Sequence, residues 1–367
     1  MKHRLLIDSI ALLSPHTGIG RYTYEIAKKI QSKDVTFFYG YYSQELLKSS
    51  TKKSNINRLH SFIVKYPLFK RVARKIINIG SQLFKPSFDI YWQPNFIPNS
   101  GIKAKKIITT VHDFSFILHR DFHPKERIEY FENNFFQNIY RSDFIITGSE
   151  FSKREILERL DFDKSKIKVI YHGINHNIFK VKNSNIDIKL PSKFIFSVGS
   201  IEPRKNLLGL LKAYNSLDSS IKNEYKLLLA GFKGWENNEI IELINQNRDN
   251  IEYLGFISDD ELATVYNRAS LFIFPSFYEG FGLPILEAMA CGTPVISSNS
   301  SSMPEVGGDA IIYCNPHSVD DIRDKIKMVL GDKALQEKLI SKGLERAKEF
   351  SWEKSANEHI RVFESLI

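Results

Sequence analysis

Cysteine is nearly missing from this 367-residue sequence: there are two, Cys291 and Cys314. Neither sits in a CxxC pair or a Cys/His cluster. That excludes a disulfide-stapled framework, argues against a structural zinc site and fits a reducing compartment such as the cytoplasm. Long hydrophobic runs are missing as well. No segment approaches the roughly 20 apolar residues that a membrane-crossing helix needs. The opening, MKHRLLIDSIALLSPHTGIG, joins basic residues to a short apolar run, but Asp8 interrupts it and no small-residue cleavage site follows. It reads as a buried first strand rather than a signal peptide. Internal repeats and low-complexity tracts are absent, which excludes solenoids, collagen-like chains and intrinsic disorder.

What is there is an ordinary globular composition, 43% hydrophobic and 25% charged. The length suggests about two domains. Charge is unevenly spread. Residues 1–180 carry 30 Lys and Arg against 16 Asp and Glu, and the remainder carries 21 against 26, within a net charge of +9. A basic first part predicts an anionic partner for it: a membrane surface, a nucleic acid or an acidic substrate.

Short apolar runs alternate with helical patterns. A first set of strands is expected at 5–7, 35–39, 90–92, 107–111, 144–147 and 168–170, and a second at 194–198, 226–230, 251–253, 271–274, 294–297 and 310–313. Helical spacing falls between many of them, as at 22–30, 152–160, 207–216, 259–268 and 319–330. This alternation predicts an α/β protein of two doubly wound domains, each with a parallel sheet covered on both faces. The polar stretch KVKNSNIDIKLP at 180–191 reads as the linker. Near the end, Trp352, Ala356, Ile360 and Phe363 follow one another at steps of 4, 4 and 3, a helical stripe that needs a partner surface.

Four segments place chemistry at strand ends. In SLFIFPSFYEGFGLPILEAMACGTPVISS, at 270–298, a strand runs into a glycine-containing loop and then a helix expected to open at Pro284. N–H groups at such a helix start favour an anion, and Gly280 and Gly282 let backbone approach a ligand. Glu279 in the loop and Glu287, expected in the first helical turn, form E-x7-E. Two carboxylates that accept from hydroxyls beside phosphate-binding N–H groups suit a sugar joined to a diphosphate. The plainer reading makes Glu287 a helix-dipole partner and Glu279 a solvated loop residue.

In FIFSVGSIEPRKN, a strand ends at Gly199 and two cations, Arg204 and Lys205, follow before a helix. Ligands of parallel sheets bind beyond the carboxyl ends of the strands, where a planar guanidinium and a point-charge ammonium suit a diphosphate. A solvated basic turn is the alternative. In SPHTGIGRYTY, Gly18 and Gly20 begin like a dinucleotide fingerprint, but Thr23 stands where its last glycine belongs. The segment reads as a glycine-rich turn before a helix, facing a phosphate. In IITTVHDF, His112 at a strand end can donate to or accept from a substrate hydroxyl, or serve the fold alone.

The ordered set GSIEPRKN, LGFISDDEL and FPSFYEGFGLPILEAMACGTPVISS makes the sequence, over nearly its whole length, resemble the retaining nucleotide-sugar glycosyltransferases of family four, which have the GT-B architecture. The opening TGIGRYTYEI is similar to the branch with mannosyltransferases of bacterial O-antigen polysaccharide assembly. The resemblance implies two Rossmann-like domains facing across a cleft. Residues 1–180, with 351–367 crossing back to them as the last helix, form an acceptor domain, and 191–350 a nucleotide-sugar donor domain.

By the same resemblance, Arg204 and Lys205 clamp the diphosphate and stabilise the leaving group. Glu279 binds hydroxyls of the donor sugar, and His112 lies near that sugar. Glu287 binds the ribose. Phe256 and Ile257 lie near the base, and Phe281, Gly282 and Leu283 bring N–H groups to sugar and phosphate. Gly18, Gly20 and Gly199 belong to the phosphate-binding backbone. A front-face retaining mechanism with no metal and no other cofactor is implied, so Asp259-Asp260 reads as a helix start. Where relatives carry Asn-Gly-Ile/Val-Asp, this chain has His172-Gly173-Ile174-Asn175, which puts a role for position 175 in doubt.

The stretch KYPLFKRVARKIINIGSQLFK, at 65–85, interleaves cations with apolar residues and suits either a membrane interface or an ordinary packed helix. With the basic first part it tips the expectation toward a peripheral protein at the cytoplasmic face of the inner membrane, acting on a lipid-linked glycan. The function expected is transfer of a hexose, mannose from GDP-mannose, in polysaccharide or lipopolysaccharide synthesis. The alternatives are a UDP-sugar donor with a different acceptor, a sugar-nucleotide epimerase or phosphorylase on the same scaffold, and a non-catalytic binding relative. No nucleic-acid-binding motif appears.

Overall fold

The computed structural model describes residues 3–13, 18–47, 87–182, 186, 188–232, 234 and 238–367. The amphipathic stretch 65–85 and part of the 180–191 linker lie outside the described residues. The chain divides into two compact units. The first takes Met1–Asp113, Glu126–His172 and Trp352–Ile367, and the second takes Phe114–Lys125 and Gly173–Ser351.

The first unit is built on seven strands: β1 (Leu5–Asp8), β2 (Val35–Phe38), β3 (Tyr42–Ser43), β4 (Phe88–Gln93), β5 (Ala104–Thr110), β6 (Phe144–Thr147) and β7 (Ile167–Val169). Their order is β3-β2-β1-β4-β5-β6-β7, and every pair is parallel except β2 with β3. Among this unit's helices are α1 (Gly18–Ile30), α3 (Lys125–Ile139) and α4 (Glu150–Arg159), whereas α2 (Ser115–Leu118) lies in the segment that belongs to the second unit.

The second unit holds β8 (Phe194–Val198), β9 (Lys226–Ala230), β10 (Ile251–Tyr253), β11 (Leu271–Phe274), β12 (Val295–Ser298) and β13 (Ile312–Cys314), all parallel, in the order β10-β9-β8-β11-β12-β13. Its helices are α5 (Leu207–Asn215), α6 (Ser219–Glu224), α7 (Asn238–Gln246), α8 (Asp259–Arg268), α9 (Leu283–Ala290), α10 (Met303–Gly307), α11 (Val319–Gly331) and α12 (Lys333–Lys348).

Side chains alternate along these strands. Phe194, Phe196, Phe272 and Phe274 pack on one face with Tyr266, Ile285 and Met289, while Ile195, Leu271 and Ile273 pack on the other with Leu210, Leu211 and Ile322. Burial on both faces is why these strands read as continuous apolar runs. Asp259 and Asp260 open α8 behind a reciprocal capping box between Ser258 and Glu261, so they complement the helix dipole. Cys291 and Cys314 are buried free thiols, and burial pushes each up to about 12.

The last helix, α13 (Trp352–Ser365), belongs to the first unit. Its buried face differs from the predicted stripe. Trp352, Ala356 and Phe363 are buried, but His359, not Ile360, fills the remaining core position. A hydrogen-bonded chain accounts for this polar choice. His359 Nδ1 lies 2.7 Å from the Ser355 carbonyl, which can only accept. Nε2 of the neutral ring is then the acceptor, so Tyr22 Oη donates to it at 2.6 Å. Thr110 Oγ1 in turn donates to Tyr22 at 3.0 Å, and Trp92 Nε1 donates to Thr110 at 3.0 Å. Burial, opposed by the Ser355 bond and assisted by His112, lowers the His359 ring to about 4.

In each sheet the strand order reverses at one place, between β1 and β4 in the first unit and between β8 and β11 in the second. Open parallel sheets bind ligands at such switch points, beyond the carboxyl ends of the strands.

Candidate active site

The second unit's switch point carries most of the residues singled out by the sequence. After β8 the chain passes Gly199, where an added Cβ would stand 3.4 Å from the Lys205 stem, and forms a short 3-10 turn, Pro203–Lys205. Asn206 follows at φ 53°, a left-handed conformation that asparagine tolerates. Its buried amide donates to the Pro275 carbonyl at 3.1 Å and the Pro316 carbonyl at 2.7 Å. One side chain thereby ties together the backbones that follow β8, β11 and β13.

This pin brings Arg204 and Lys205 onto Glu279. Lys205 Nζ donates to Glu279 Oε1 at 2.6 Å, and Arg204 Nη1 donates to Oε2 at 2.7 Å. Arg204 Nη1 also reaches the Tyr278 carbonyl at 2.8 Å, and its Nη2 donates to Glu202 Oε1 at 2.9 Å. Lys205 lies over the Phe274 ring at 4.9 Å. Burial alone would raise the Glu279 carboxyl, but the charges of Arg204 and Lys205 overrule it and hold it at about 2. Burial and the adjacent Arg204 charge lower Lys205 from its ordinary value. Glu279 is therefore an ionised, cation-bound carboxylate rather than a solvated loop residue.

Serine hydroxyls after β12 fix the loop that carries Glu279. Ser300 donates to the Phe277 carbonyl at 2.9 Å, and Ser302 donates to the carbonyls of Glu279 at 2.8 Å and Phe281 at 2.9 Å. Ser301 Oγ accepts from the Glu279 N–H at 3.0 Å. The Phe114–Lys125 segment docks on the same loop. Phe114 N donates to Tyr278 Oη at 2.9 Å, Phe122 stacks on Phe277 at 5.7 Å, and His119 meets Tyr278 at 4.9 Å.

The predicted donor-binding residues fall in several places. Gly282 caps α9 at φ 110°, a conformation glycine adopts without strain, and no side chain caps that helix start. The helix opens at Leu283, with Pro284 second, so Glu287 belongs to the second turn and not the first. The extra residue arises because Leu283 already has helical geometry behind the left-handed Gly282. Glu287 is buried and accepts from Tyr266 Oη at 3.2 Å. That bond suits a held carboxylate better than a dipole partner. Phe281 points into the core against Phe350, so it can serve a ligand only through backbone. Phe256 is exposed and stacks on Phe232 with centroids 4.5 Å apart and planes at 22°, whereas Ile257 packs against the core.

Three predicted residues belong to the first unit. Gly18 and Gly20 lie in the first turn of α1, not in a turn ahead of it, because the helix begins at Gly18. His112 is buried after β5. Its Nε2 donates to the Pro94 carbonyl at 2.8 Å, leaving Nδ1 as the ring's acceptor, and burial lowers its pKa. Asn175 closes a local turn by accepting from the Asn177 N–H at 3.1 Å. Among the described residues, no three His, Cys, Asp or Glu converge to hold a metal ion.

Sequence reasoning missed Glu202, Asn206, Tyr266 and the hydroxyls of Ser300–Ser302. The only signals were a glutamate two residues before Arg204 and a run of serines after a strand end.

Comparison with known proteins gives the family and the fold. Residues 16–178 match the family described as Glycosyltransferase Family 4, and residues 180–346 match that described as Glycosyl transferases group 1. The O-antigen chain mannosyltransferase B of Escherichia coli is 34% identical over 374 aligned positions, covering 96% of this chain and 97% of that protein. Among solved structures, sucrose-phosphate synthase from Thermosynechococcus elongatus matches with a TM-score of 0.71 at 18% identity, over 100% of this chain and 99% of that one. WaaG, a glycosyltransferase involved in lipopolysaccharide biosynthesis, matches with a TM-score of 0.69 at 14% identity, over 98% and 99%. The chain belongs to the family-four glycosyltransferases, and its two Rossmann-like units are those of the GT-B fold.

Proposed function

We propose that this glycosyltransferase moves a hexose, mannose from GDP-mannose, to a lipid-linked glycan in cell-surface polysaccharide or lipopolysaccharide synthesis. The transfer retains anomeric configuration and needs no metal. The carrying observation is the Arg204–Lys205–Glu279 cluster at the switch point of the second unit. The 34% identity to a mannosyltransferase of O-antigen chains supports the sugar and the pathway class.

In the ligand-free protein Glu279 is ion-paired with both cations, and Glu202 is paired with Arg204 as well. An arriving diphosphate takes over the Lys205 ammonium and the Arg204 fork. Glu279 is then free to accept hydrogen bonds from hydroxyls of the donor sugar. As the bond from the anomeric carbon to the diphosphate breaks, charge grows on the leaving oxygen, and the two fixed cations stabilise it. The acceptor hydroxyl attacks the anomeric carbon from the face the diphosphate is leaving. Its proton passes to the departing phosphate oxygen, so no enzymic nucleophile is used. In the ligand-free protein Arg204 and Lys205 hold Glu279 ionised at about 2, so it meets the donor as a hydrogen-bond acceptor for sugar hydroxyls.

Glu287 takes the ribose hydroxyls, and the exposed Phe256–Phe232 pair offers an aromatic face near the base. Backbone at Gly199, Phe281, Gly282 and Leu283 serves the phosphates and sugar. His112, through Nδ1, serves a hydroxyl of the donor sugar in this reading, and Gly18 and Gly20 serve its phosphates. The basic first part favours a peripheral position at the cytoplasmic face of the inner membrane, beside a lipid-linked acceptor.

The test is a donor panel. Purified protein is incubated with UDP-, GDP- and ADP-sugars, with and without lipid-linked glycan, and nucleotide release is measured. Acceptor-stimulated GDP release from GDP-mannose is expected. Stimulated UDP release would replace the donor in this reading with a UDP-sugar. Nucleotide binding without release for any acceptor would favour a non-catalytic relative.

A further inference from the structure

Arg204 is held by more than the clamp needs. Its fork donates Nη1 to Glu279 and the Tyr278 carbonyl and Nη2 to Glu202. Glu202 is 6% exposed and immediately precedes the 3-10 turn, yet its side chain makes no capping hydrogen bond there. The carboxylate goes to Arg204 instead. Two cations and two carboxylates thus form one closed cluster of zero net charge.

We propose that Glu202 is a positioning residue that stays on Arg204 throughout turnover, fixing the guanidinium edge and limiting the positive charge offered to the phosphates, so that the nucleoside diphosphate product is released. The proposal rests on the reading of Arg204 and Lys205 as the diphosphate clamp. When Glu279 turns to the sugar hydroxyls, the cluster would otherwise present two uncompensated cations. The product gains a terminal phosphate charge that the intact donor lacks. Two bare cations would therefore favour product over donor and slow its departure. Glu202 removes one unit of that charge while leaving the Nη1 edge of Arg204 aimed at the site.

Glu202→Gln preserves size and an oxygen that can accept from Nη2, and deletes the charge. Calorimetric titration of the full chain with GDP, UDP and ADP is the measurement, alongside melting of each variant. The variant is expected to bind the nucleotide that wild type prefers about tenfold more tightly, the order produced by deleting one charge close to a polyanion in a partly buried site. Its turnover in the donor panel is expected to fall, while Glu202→Asp, which keeps the charge, restores wild-type affinity. A purely structural glutamate would not give tighter binding. Equal or weaker nucleotide binding by a folded Glu202→Gln protein overturns the proposal. So does a Gln variant that fails to fold, since the charge would then serve the fold. If wild type binds none of the three nucleotides, the clamp reading itself fails and takes this proposal with it. That result is distinct from a wild type that binds and a variant that does not tighten.

Discussion

The two switch points occupy the same place in two sheets of the same kind and carry opposite electrostatics. In the second unit, Arg204, Lys205, Glu202 and Glu279 form a closed ionic cluster. In the first, Asp8 ends β1 as a buried carboxylate held by neutral donors: Tyr91 Oη and Gln93 Nε2 at 3.0 Å and the Ile10 N–H at 3.2 Å. Burial, outweighing those bonds, raises Asp8 to about 6. Elsewhere in the first unit the rings of His112, His172 and His359, each lowered by burial, gather around Tyr22. Architecture fixes where a ligand can approach, and the side chains there decide its charge. One switch point pairs its carboxylates with cations, and the other holds its carboxylate with neutral donors.

The contrast breaks most visibly if the cations are removed. Arg204→Ala combined with Lys205→Ala is expected to lower acceptor-stimulated nucleotide release by about a thousandfold or more, with the fold retained. Wild-type turnover in that variant would refute the ionic half of the comparison. Glu287→Ala is expected to weaken donor binding by roughly tenfold to a hundredfold, the range for losing hydrogen bonds to a charged group. Titration with the preferred nucleotide sugar, with melting as a check on folding, decides it.

In the first unit the expected losses are of stability rather than binding. Tyr22→Phe strands Thr110 and His359 Nε2 and is expected to cost about 1–3 kcal/mol in urea unfolding. Nucleoside diphosphate affinity should be unaffected. Acid should also separate the units. An unfolded His359 takes up a proton near pH 6.5, while the folded ring waits until about 4. Stability therefore falls as pH drops through that window, by up to about 1.4 kcal/mol per pH unit for this histidine. His172, driven well down by burial, His112 and His359, acts in the same direction. Asp8 opposes them below about 6, because its folded carboxyl takes up a proton before the unfolded one does. Glu279 contributes stability that is complete above about 4.5 and lost only toward 2. Amide exchange at pH 5 should thus rise in α13 before it rises in α9, and the reverse order would contradict the assignment of charges to the two units.

Elements with local causes were legible in the sequence. The strands at 194–198, 226–230, 251–253 and 271–274 match those observed, because full burial on both sheet faces leaves an unbroken apolar run. The E-x7-E loop and the Arg204-Lys205 turn were legible because glycines and paired charges cluster at strand ends. What escaped depends on partners distant in sequence. Asn206 matters through Pro275 and Pro316, and the serines after β12 matter through carbonyls more than twenty residues away. His359 is polar in an apolar stripe, and only Tyr22 explains it. The phase error at Glu287 has a backbone origin. A helix start depends on backbone conformation at the residue before it, as left-handed Gly282 shows, and composition does not report that.

The docking of α13 also orders events in time. Tyr22 and His359, which share the core hydrogen bond of the first unit, are separated by 337 positions. At synthesis rates of roughly 5–20 residues per second, Tyr22 waits roughly 20–70 s for its partner. Throughout that interval the α1 face that meets α13 emerges from the ribosome uncovered, while every strand of the second unit is being made. The first unit to be translated is therefore the last to be finished. A stalled or truncated chain that ends before Trp352 would present to the cell's quality control an incomplete first unit beside a second unit whose own residues are all present.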